Sequence, residues 1–459
     1  MKLDFKKTFI IGLGFFGVSL VWSLYNAFVP VILEGFVTSA TIIGLFMTID
    51  NILAVTVQPI VGAVSDKTKT KIGRRMPYIL IGAPLAAIFY IYIPLATFFW
   101  HLIGAIILMN FFMALYRSPV VALMPDMIPS ENRSKANGVI NFMGGFAALL
   151  VFFIGGKIFD IDRKLPFFGV AIILLFAVAL LFLIIKEPKK IKHVASEDIT
   201  QSLVKISTIA IVVGIAIFLL FNQLHLFSAT FSNFFGSPYQ GHILMALIVF
   251  ASIVFFMLLR KVEKSAIFIF IAIFAWFFGY NGVETFFTLY GIHTLGLTAG
   301  KAAFFLGIFA LSFMIFAIPS GFVGDKYGRK KTIIAGLIGL GSLMGSLAFT
   351  TSIPFIYVVM VFGGFSWAAI NINSIAMIWD NTTDEMLGTY TGLYYFFSML
   401  AQTVSPPVLG IFKDKTGSYQ TMFSIVPIFF FIALICMLFV KKGEAKPMSK
   451  EKVLERMEV

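Results

Sequence analysis

Apolar runs about one bilayer long follow one another along the whole chain, each closed by a short polar or basic interval. A helix that crosses the hydrocarbon core needs about 20 predominantly apolar residues. Fourteen segments meet that requirement, at approximately 8–33, 40–64, 77–97, 101–124, 136–156, 166–186, 206–226, 242–259, 265–290, 302–323, 332–351, 355–379, 387–410 and 420–440. The run after Lys6 and Lys7 is too long for a cleavable signal and lacks a small-residue cleavage site, so it is expected to be the first helix. The pattern predicts an all-α membrane protein.

Composition supports this. The 459 residues are 59% hydrophobic and only 12% charged, whereas a soluble chain carries about 25% charge. Mean hydropathy is +0.96. The single cysteine, Cys436, excludes a disulfide framework and any multi-thiolate metal site. A net charge of +13 would suggest nucleic acid in a soluble protein, but here it reports orientation. With the amino terminus inside, most of the 35 Lys and Arg fall in cytoplasmic segments. The external exception, Lys157, Arg163 and Lys164, is partly neutralised by Asp160 and Asp162. Basic clusters flank 188–264 on both sides, so an even number of crossings lies between them, and the turn around Ser228 to Gly241 carries no Lys or Arg. The expected organisation is a six-helix bundle over 1–187, a linker with an inserted two-helix hairpin over 188–264, a second bundle over 265–441 and a tail over 442–459. Both termini are expected to be cytoplasmic, in a cell-membrane protein that works as a monomer.

The two bundles repeat one another. Gly62, Asp66, Gly73, Arg74 and Arg75 after the second helix recur as Gly321, Asp325, Gly328, Arg329 and Lys330. Asp126, Glu131, Gly138, Gly156 and Asp160 recur at a constant offset of 254 as Asp380, Glu385, Gly392, Gly410 and Asp414. Tyr25-Asn26 recurs as Tyr280-Asn281. Internal repeats of this kind place a transporter's site at the interface between the copies.

The Gly-x-x-x-Asp element followed by Gly-Arg-Arg resembles the signature loop of the major facilitator superfamily. The longer first copy, Gln58 to Pro77, resembles the glycoside-pentoside-hexuronide:cation symporters, particularly the branch related to proton-coupled sucrose transporters. The stretch ALMPDMIPSENRSKANG after the fourth helix agrees. The resemblance implies two pseudo-symmetric six-helix bundles, to which the hairpin is an addition, and sugar–cation symport. Gln58 precedes Pro59 where melibiose-type sodium symporters carry an acid, and Val121 stands where plant sucrose symporters carry an Arg, with Arg117 about one turn away.

Asp66 ends an inward-running helix, where the macrodipole disfavours a carboxylate unless a cation or a helix start lies opposite. By repeat symmetry Asp66 is expected to face the helix start near Leu387, and Asp325 the one near Ser134. Gly62, Asp66, Gly73, Arg74, Arg75, Gly321, Asp325, Gly328 and Arg329 would then form a cytoplasmic gate. An ordinary solvated basic loop is the competing reading.

Three ionisable residues lie well inside spans: Asp50, Arg117 and Glu284. At roughly 2.5 to 3.5 kcal/mol each on insertion scales, they must pair, protonate or face water. Two acids and one base leave a surplus negative charge, the candidate for proton coupling, against which stands a static salt bridge. Trp22 and Asn26, Asn110, then Tyr280, Asn281 and Thr285, and finally Asn371 with Ser374, lie on helical stripes and are candidates for the substrate cavity. Amides, hydroxyls and aromatics suit an uncharged polyhydroxylated ligand, although interhelical hydrogen bonding uses the same residues.

Gly12, Gly14 and Gly17 spell a dinucleotide fingerprint but lie in an apolar span with no preceding strand, so they predict close helix packing. Gly341 and Gly345 predict the same, and His225, His242 and His293 are expected at the interface. No Walker A sequence occurs. The expected function is alternating-access symport of a sugar or glycoside with a proton, without cofactor, metal, nucleic acid or enzymatic chemistry. The alternatives are proton-antiport export of amphipathic drugs or metabolites, and a non-transporting scaffold or sensor.

Overall fold

The computed structural model describes residues 4–128, 132–187, 264–380 and 387–441. The expected hairpin and the tail lie outside these residues. Within them the first half runs α1 (Phe5–Glu34), α2 (Ala40–Met47), α3 (Ile49–Lys67), α4 (Met76–Tyr92), α5 (Phe99–Met127), α6 (Arg133–Leu150), α7 (Gly156–Ile161) and α8 (Leu165–Ile184). The second half runs α9 (Lys264–His293), α10 (Ala299–Tyr327), α11 (Arg329–Ser346), α12 (Ile353–Asp380), α13 (Leu387–Thr416) and α14 (Met422–Phe439).

These helices make six rods per half, because α2 runs on into α3 through Thr48 and α6 into α7 through a π-helical turn, Val151–Gly155. Among the described residues, 11 of the rods are long and apolar enough to cross a membrane. The twelfth, α11, opens on Arg329, Lys330 and Lys331 and ends in Gly345 and Ser346. Each rod follows an apolar run of the sequence. On α8, Ile172, Phe176 and Leu183 are all more than 60% exposed, a face that only lipid can cover. Inside, large rings fill the bundles: Trp276, Tyr25, Tyr90, Tyr116 and Phe28 are fully buried.

Small residues set the close approaches. A Cβ on Gly14 would lie 2.8 Å from Val120, and one on Gly17 2.8 Å from Leu174, so the fingerprint-like glycines pack α1 against α5 and α8. Gly341 and Gly345 meet Phe430 and Pro427 of α14 in the same way.

Each half is clasped at its signature loop. Arg75 pairs with Asp66 and, at 3.0 Å, with Asp126, while Arg74 meets Asp126 at 2.6 Å. The second half repeats the arrangement, with Arg329 between Asp325, at 3.2 Å, and Asp380. Gly73 and Gly328 have φ of +118° and +100°, the left-handed region where a side chain is strained. Glu187 completes the first clasp by accepting the backbone N–H groups of Arg74 at 2.9 Å, Arg75 at 3.0 Å and Met76 at 2.8 Å, three otherwise orphaned donors at the start of α4.

The halves meet at the opposite end. Asp414 at the end of α13 accepts from the N–H of Ala40 at 2.8 Å, the N–H of Thr41 at 3.0 Å, and the hydroxyls of Thr41 at 2.7 Å and Ser39 at 2.6 Å. Asp160 at the end of α7 accepts from the N–H of Gly300 at 2.8 Å and the hydroxyl of Thr298 at 2.6 Å. Backbones almost touch beside each carboxylate: a Cβ on Gly410 would lie 2.5 Å from the Ala40 carbonyl oxygen, and one on Gly156 3.1 Å from Gly300. His293 adds a third contact, its Nε2 2.7 Å from a Glu34 carboxylate oxygen whose other oxygen accepts from Tyr419 at 2.9 Å. This histidine, the last residue of α9, joins the two halves; His225 and His242 lie outside the described residues.

Candidate functional site

Midway along the rods, residues from both halves converge. Thr48 interrupts the second rod, its hydroxyl turning back to the Leu45 carbonyl at 2.8 Å, and α3 restarts at Ile49. Asp50 thereby falls in the first turn of a new helix, where free N–H groups and the positive end of the dipole favour a carboxylate. The N–H of Asn51 is hydrogen-bonded to it, yet its Oδ1 is buried without a partner.

Asp50 interacts electrostatically with Arg117 of α5 and with Glu284 of α9. Glu284 is hydrogen-bonded by Asn26 of α1, and Arg117 lies within charge range of Tyr395 on α13. The three ionisable positions singled out in the sequence thus form one cluster contributed by both halves. Two acids and one base leave the surplus unpaired, and among the described residues no carboxylate lies within 4 Å of Arg117. A static ion pair in direct contact is not what holds these charges.

The cavity candidates divide into two groups. Trp22, on the same helix as Asn26, has its Nε1 buried and unpartnered and lies edge-on to Tyr25, ring centroids 5.5 Å apart. Tyr280 neighbours Glu284 and stacks flat on Trp367, centroids 4.3 Å apart at 2°. Other candidates are engaged by their own bundle. Asn110 donates to Tyr25 at 3.2 Å and to the Ile106 carbonyl at 2.9 Å, Asn281 to the Phe277 carbonyl at 2.7 Å, and Thr285 to the Asn281 carbonyl at 2.9 Å. Ser374 bonds the Asn371 carbonyl at 2.8 Å and meets Tyr394 at 3.1 Å.

Of the gate candidates, Asp66, Gly73, Arg74, Arg75, Asp325, Gly328 and Arg329 take part in the clasps described above, and the Gly62 carbonyl accepts from Arg75 at 3.4 Å. The helix starts expected opposite Asp66 and Asp325 fall at Leu387 and Ser134, whose side chains lie outside those described.

Sequence reading did not single out Trp367, Tyr395 or Glu187. An isolated Trp in the middle of an apolar run was the available signal for the first; the other two lack one.

Beside Glu284 and Tyr280 opens a small apolar cavity of about 60 Å³, walled by Phe287, Leu306, Phe309 and Phe430. Phe152, on the π-helical turn, is the first half's contribution to its lining.

Known proteins fit this architecture. The curated multi-drug resistance efflux pump PmrA of Streptococcus pneumoniae is 28% identical over 172 residues, 37% of this chain and 43% of that protein. The cis,cis-muconate transport protein of Acinetobacter baylyi is 27% identical over 173 residues, 37% of this chain and 41% of that protein. The chain therefore matches less than half the length of these relatives. A crystal structure of the peptide transporter POT in complex with sulfate superposes with a TM-score of 0.66 at 13% identity, covering 96% of each chain, which shows a shared fold. The Major Facilitator Superfamily model matches residues 11–315 and 269–456, and the chain belongs to that superfamily.

Proposed function

We propose that this transporter carries a sugar or glycoside in symport with a proton, by alternating access about the Asp50–Arg117–Glu284 centre, with the signature loops on the cytoplasmic side. The observation that carries the coupling is the meeting of two acids and one base from both halves at mid-depth. Charges there are costly, and the surplus carboxylate is neutralised most cheaply by a proton taken up on one side and released on the other. A membrane potential of 100 mV supplies about 2.3 kcal/mol per charge moved, enough to bias a two-state cycle.

The saccharide assignment rests on the resemblance over Gln58–Pro77 and on the unsatisfied groups of the site. Trp22 Nε1 lacks an acceptor and Asp50 Oδ1 lacks a donor, and sugar hydroxyls are both. The Tyr280–Trp367 pair adds ring surface next to Glu284 of the kind that covers the apolar face of a pyranose. Purified protein in proteoliposomes tests the reading: labelled mono- or disaccharide should accumulate only under an inward proton gradient and leak out when a protonophore is added. Failure of every saccharide to accumulate under any gradient would overturn it.

Proton-antiport export of amphipathic compounds is the second reading, favoured by the similarity to an efflux pump and by the apolar cavity. It predicts resistance to lipophilic cations in expressing cells.

A further inference from the structure

We infer that the end at which the halves meet carries a proton-binding site of its own, the His293 imidazole between Glu34 and Tyr419, and that a proton bound there holds the two halves together. The site lies apart from the Asp50–Arg117–Glu284 centre, and the inference needs no assumption about the cargo.

Two helix ends of the same polarity meet at this joint. Glu34 is the last residue of α1 and His293 the last of α9. The C-terminal end of a helix dipole disfavours a carboxylate and favours a cation. Glu34 therefore carries its charge where its own helix opposes it, and α1 has no basic residue in its last turn to compensate. Compensation comes from the other half: His293 Nε2 lies 2.7 Å from one Glu34 oxygen, and the Tyr419 hydroxyl donates to the other at 2.9 Å. The imidazole also stacks on the Tyr419 ring, centroids 5.6 Å apart at 23°, which fixes its plane against the carboxylate.

The neighbouring charges are engaged elsewhere. Lys413 of α13 donates to the Thr38 carbonyl at 3.2 Å, lies 5.0 Å over the Tyr419 ring and pairs with Asp414 at 3.7 Å. Asp414 in turn holds the start of α2. Asp160 and Arg163 of the first half border the adjoining groove with Ile292 and Thr298, and Asp160 is bound to Gly300 and Thr298. Lys301, in the first turn of α10, is exposed.

His293 is thus the group that can bring positive charge to Glu34, and with its side chain 49% exposed it exchanges protons with solvent. An ordinary imidazole changes charge near about pH 6.5. Neutral, its N–H can donate to Glu34; protonated, it adds a full charge to the same contact. Because α1 and α9 belong to different halves, that attraction exists only while this end is shut. The shut state therefore binds the proton more tightly than the open one, and by linkage a falling pH shifts the population toward closure. With the signature loops on the cytoplasmic side, as proposed above, the site samples external pH.

Nanodisc-embedded full-length protein carrying Cys436→Ser and Ala40→Cys reports opening of this end, since position 40 is fully buried when the end is shut and a maleimide alkylates it only on opening. Thiol reactivity and the central acids also respond to pH, so the reading is the ratio of alkylation rates, His293→Gln over its parent, at each pH. Glutamine keeps a neutral donor and cannot become a cation. The ratio should lie near one at about pH 8 and rise to about three- to fivefold at about pH 5.5, the scale of a partly exposed ion pair. In a Glu34→Gln background it should stay flat. His293→Lys, charged at both pH values, should be alkylated more slowly than the parent at the higher pH. A ratio that does not change between the two pH values would overturn the inference, and so would a rise that survives Glu34→Gln. No arm of the experiment uses a substrate, so absence of sugar symport would leave the result standing.

Discussion

Asp160 and Asp414, 254 residues apart, make the same clamp from opposite halves: one accepts the Gly300 N–H and the other the Ala40 N–H, each at 2.8 Å. Hydrogen bonds to a charged acceptor are worth about 1.5 to 3 kcal/mol each, so the two clamps weigh on whether this end of the transporter is closed. Asp414→Asn removes the charge and part of the acceptor capacity. In a Cys436→Ser background, a cysteine at the fully buried Ala40 position should then be alkylated by an impermeant maleimide about tenfold faster. An unaltered rate would show that Asp414 does not hold the closed state.

Glu284→Gln and Asp50→Asn imitate protonated carboxyls and cannot release a proton. Each should cut gradient-driven accumulation by about tenfold or more, while exchange of labelled for unlabelled substrate across a membrane without gradient persists. Concentrative uptake by the double variant would remove these acids from the coupling step.

Backbone geometry separates two glycines that look alike in sequence. Gly73 has φ +118° and a Cβ there would sit 2.5 Å from the Glu187 carboxyl carbon, whereas Gly296 has φ +66° with open space around it. Gly296→Ala should cost about 1 kcal/mol from strain. Gly73→Ala should cost more, because the clasp must also move. Thermal unfolding of the two variants in detergent, side by side, gives the comparison; equal midpoints would contradict it.

Glu187→Gln should destabilise the first half without abolishing transport by the molecules that fold. Its carboxylate holds three N–H groups, and weakening them by about 1 to 3 kcal/mol lowers a melting midpoint by several degrees. A midpoint within one degree of wild type, on the order of measurement error, would argue that the pairs of Arg74 and Arg75 with Asp66 and Asp126 hold the loop without Glu187.

The rods were legible because membrane spans need only length and apolarity, and twelve of the fourteen expected runs coincide with the described rods. Asp50, Arg117 and Glu284 were legible for the complementary reason, that charge inside an apolar run stands out. The interruption at Thr48 was not, since the stretch from Ile43 to Leu53 carries apolar residues on both sides of it. Nor was the internal engagement of Asn110, Asn281 and Thr285, because a bond to a carbonyl one turn back leaves no trace in residue type. The repeat revealed Asp126 with Asp380 and Asp160 with Asp414 as equivalent pairs. Their partners came only from the fold, which assigns the first pair to arginines within each half and the second pair to helix starts across the halves.

The reciprocity of the seal bears on how the molecule assembles. Each half supplies the acceptor for the other's exposed helix start, so neither can finish its own end. Expressed alone, either fragment would present one naked carboxylate and one row of unsatisfied amides. Mixed in a single membrane, the fragments have two matched docking points that fix their mutual register before anything is transported.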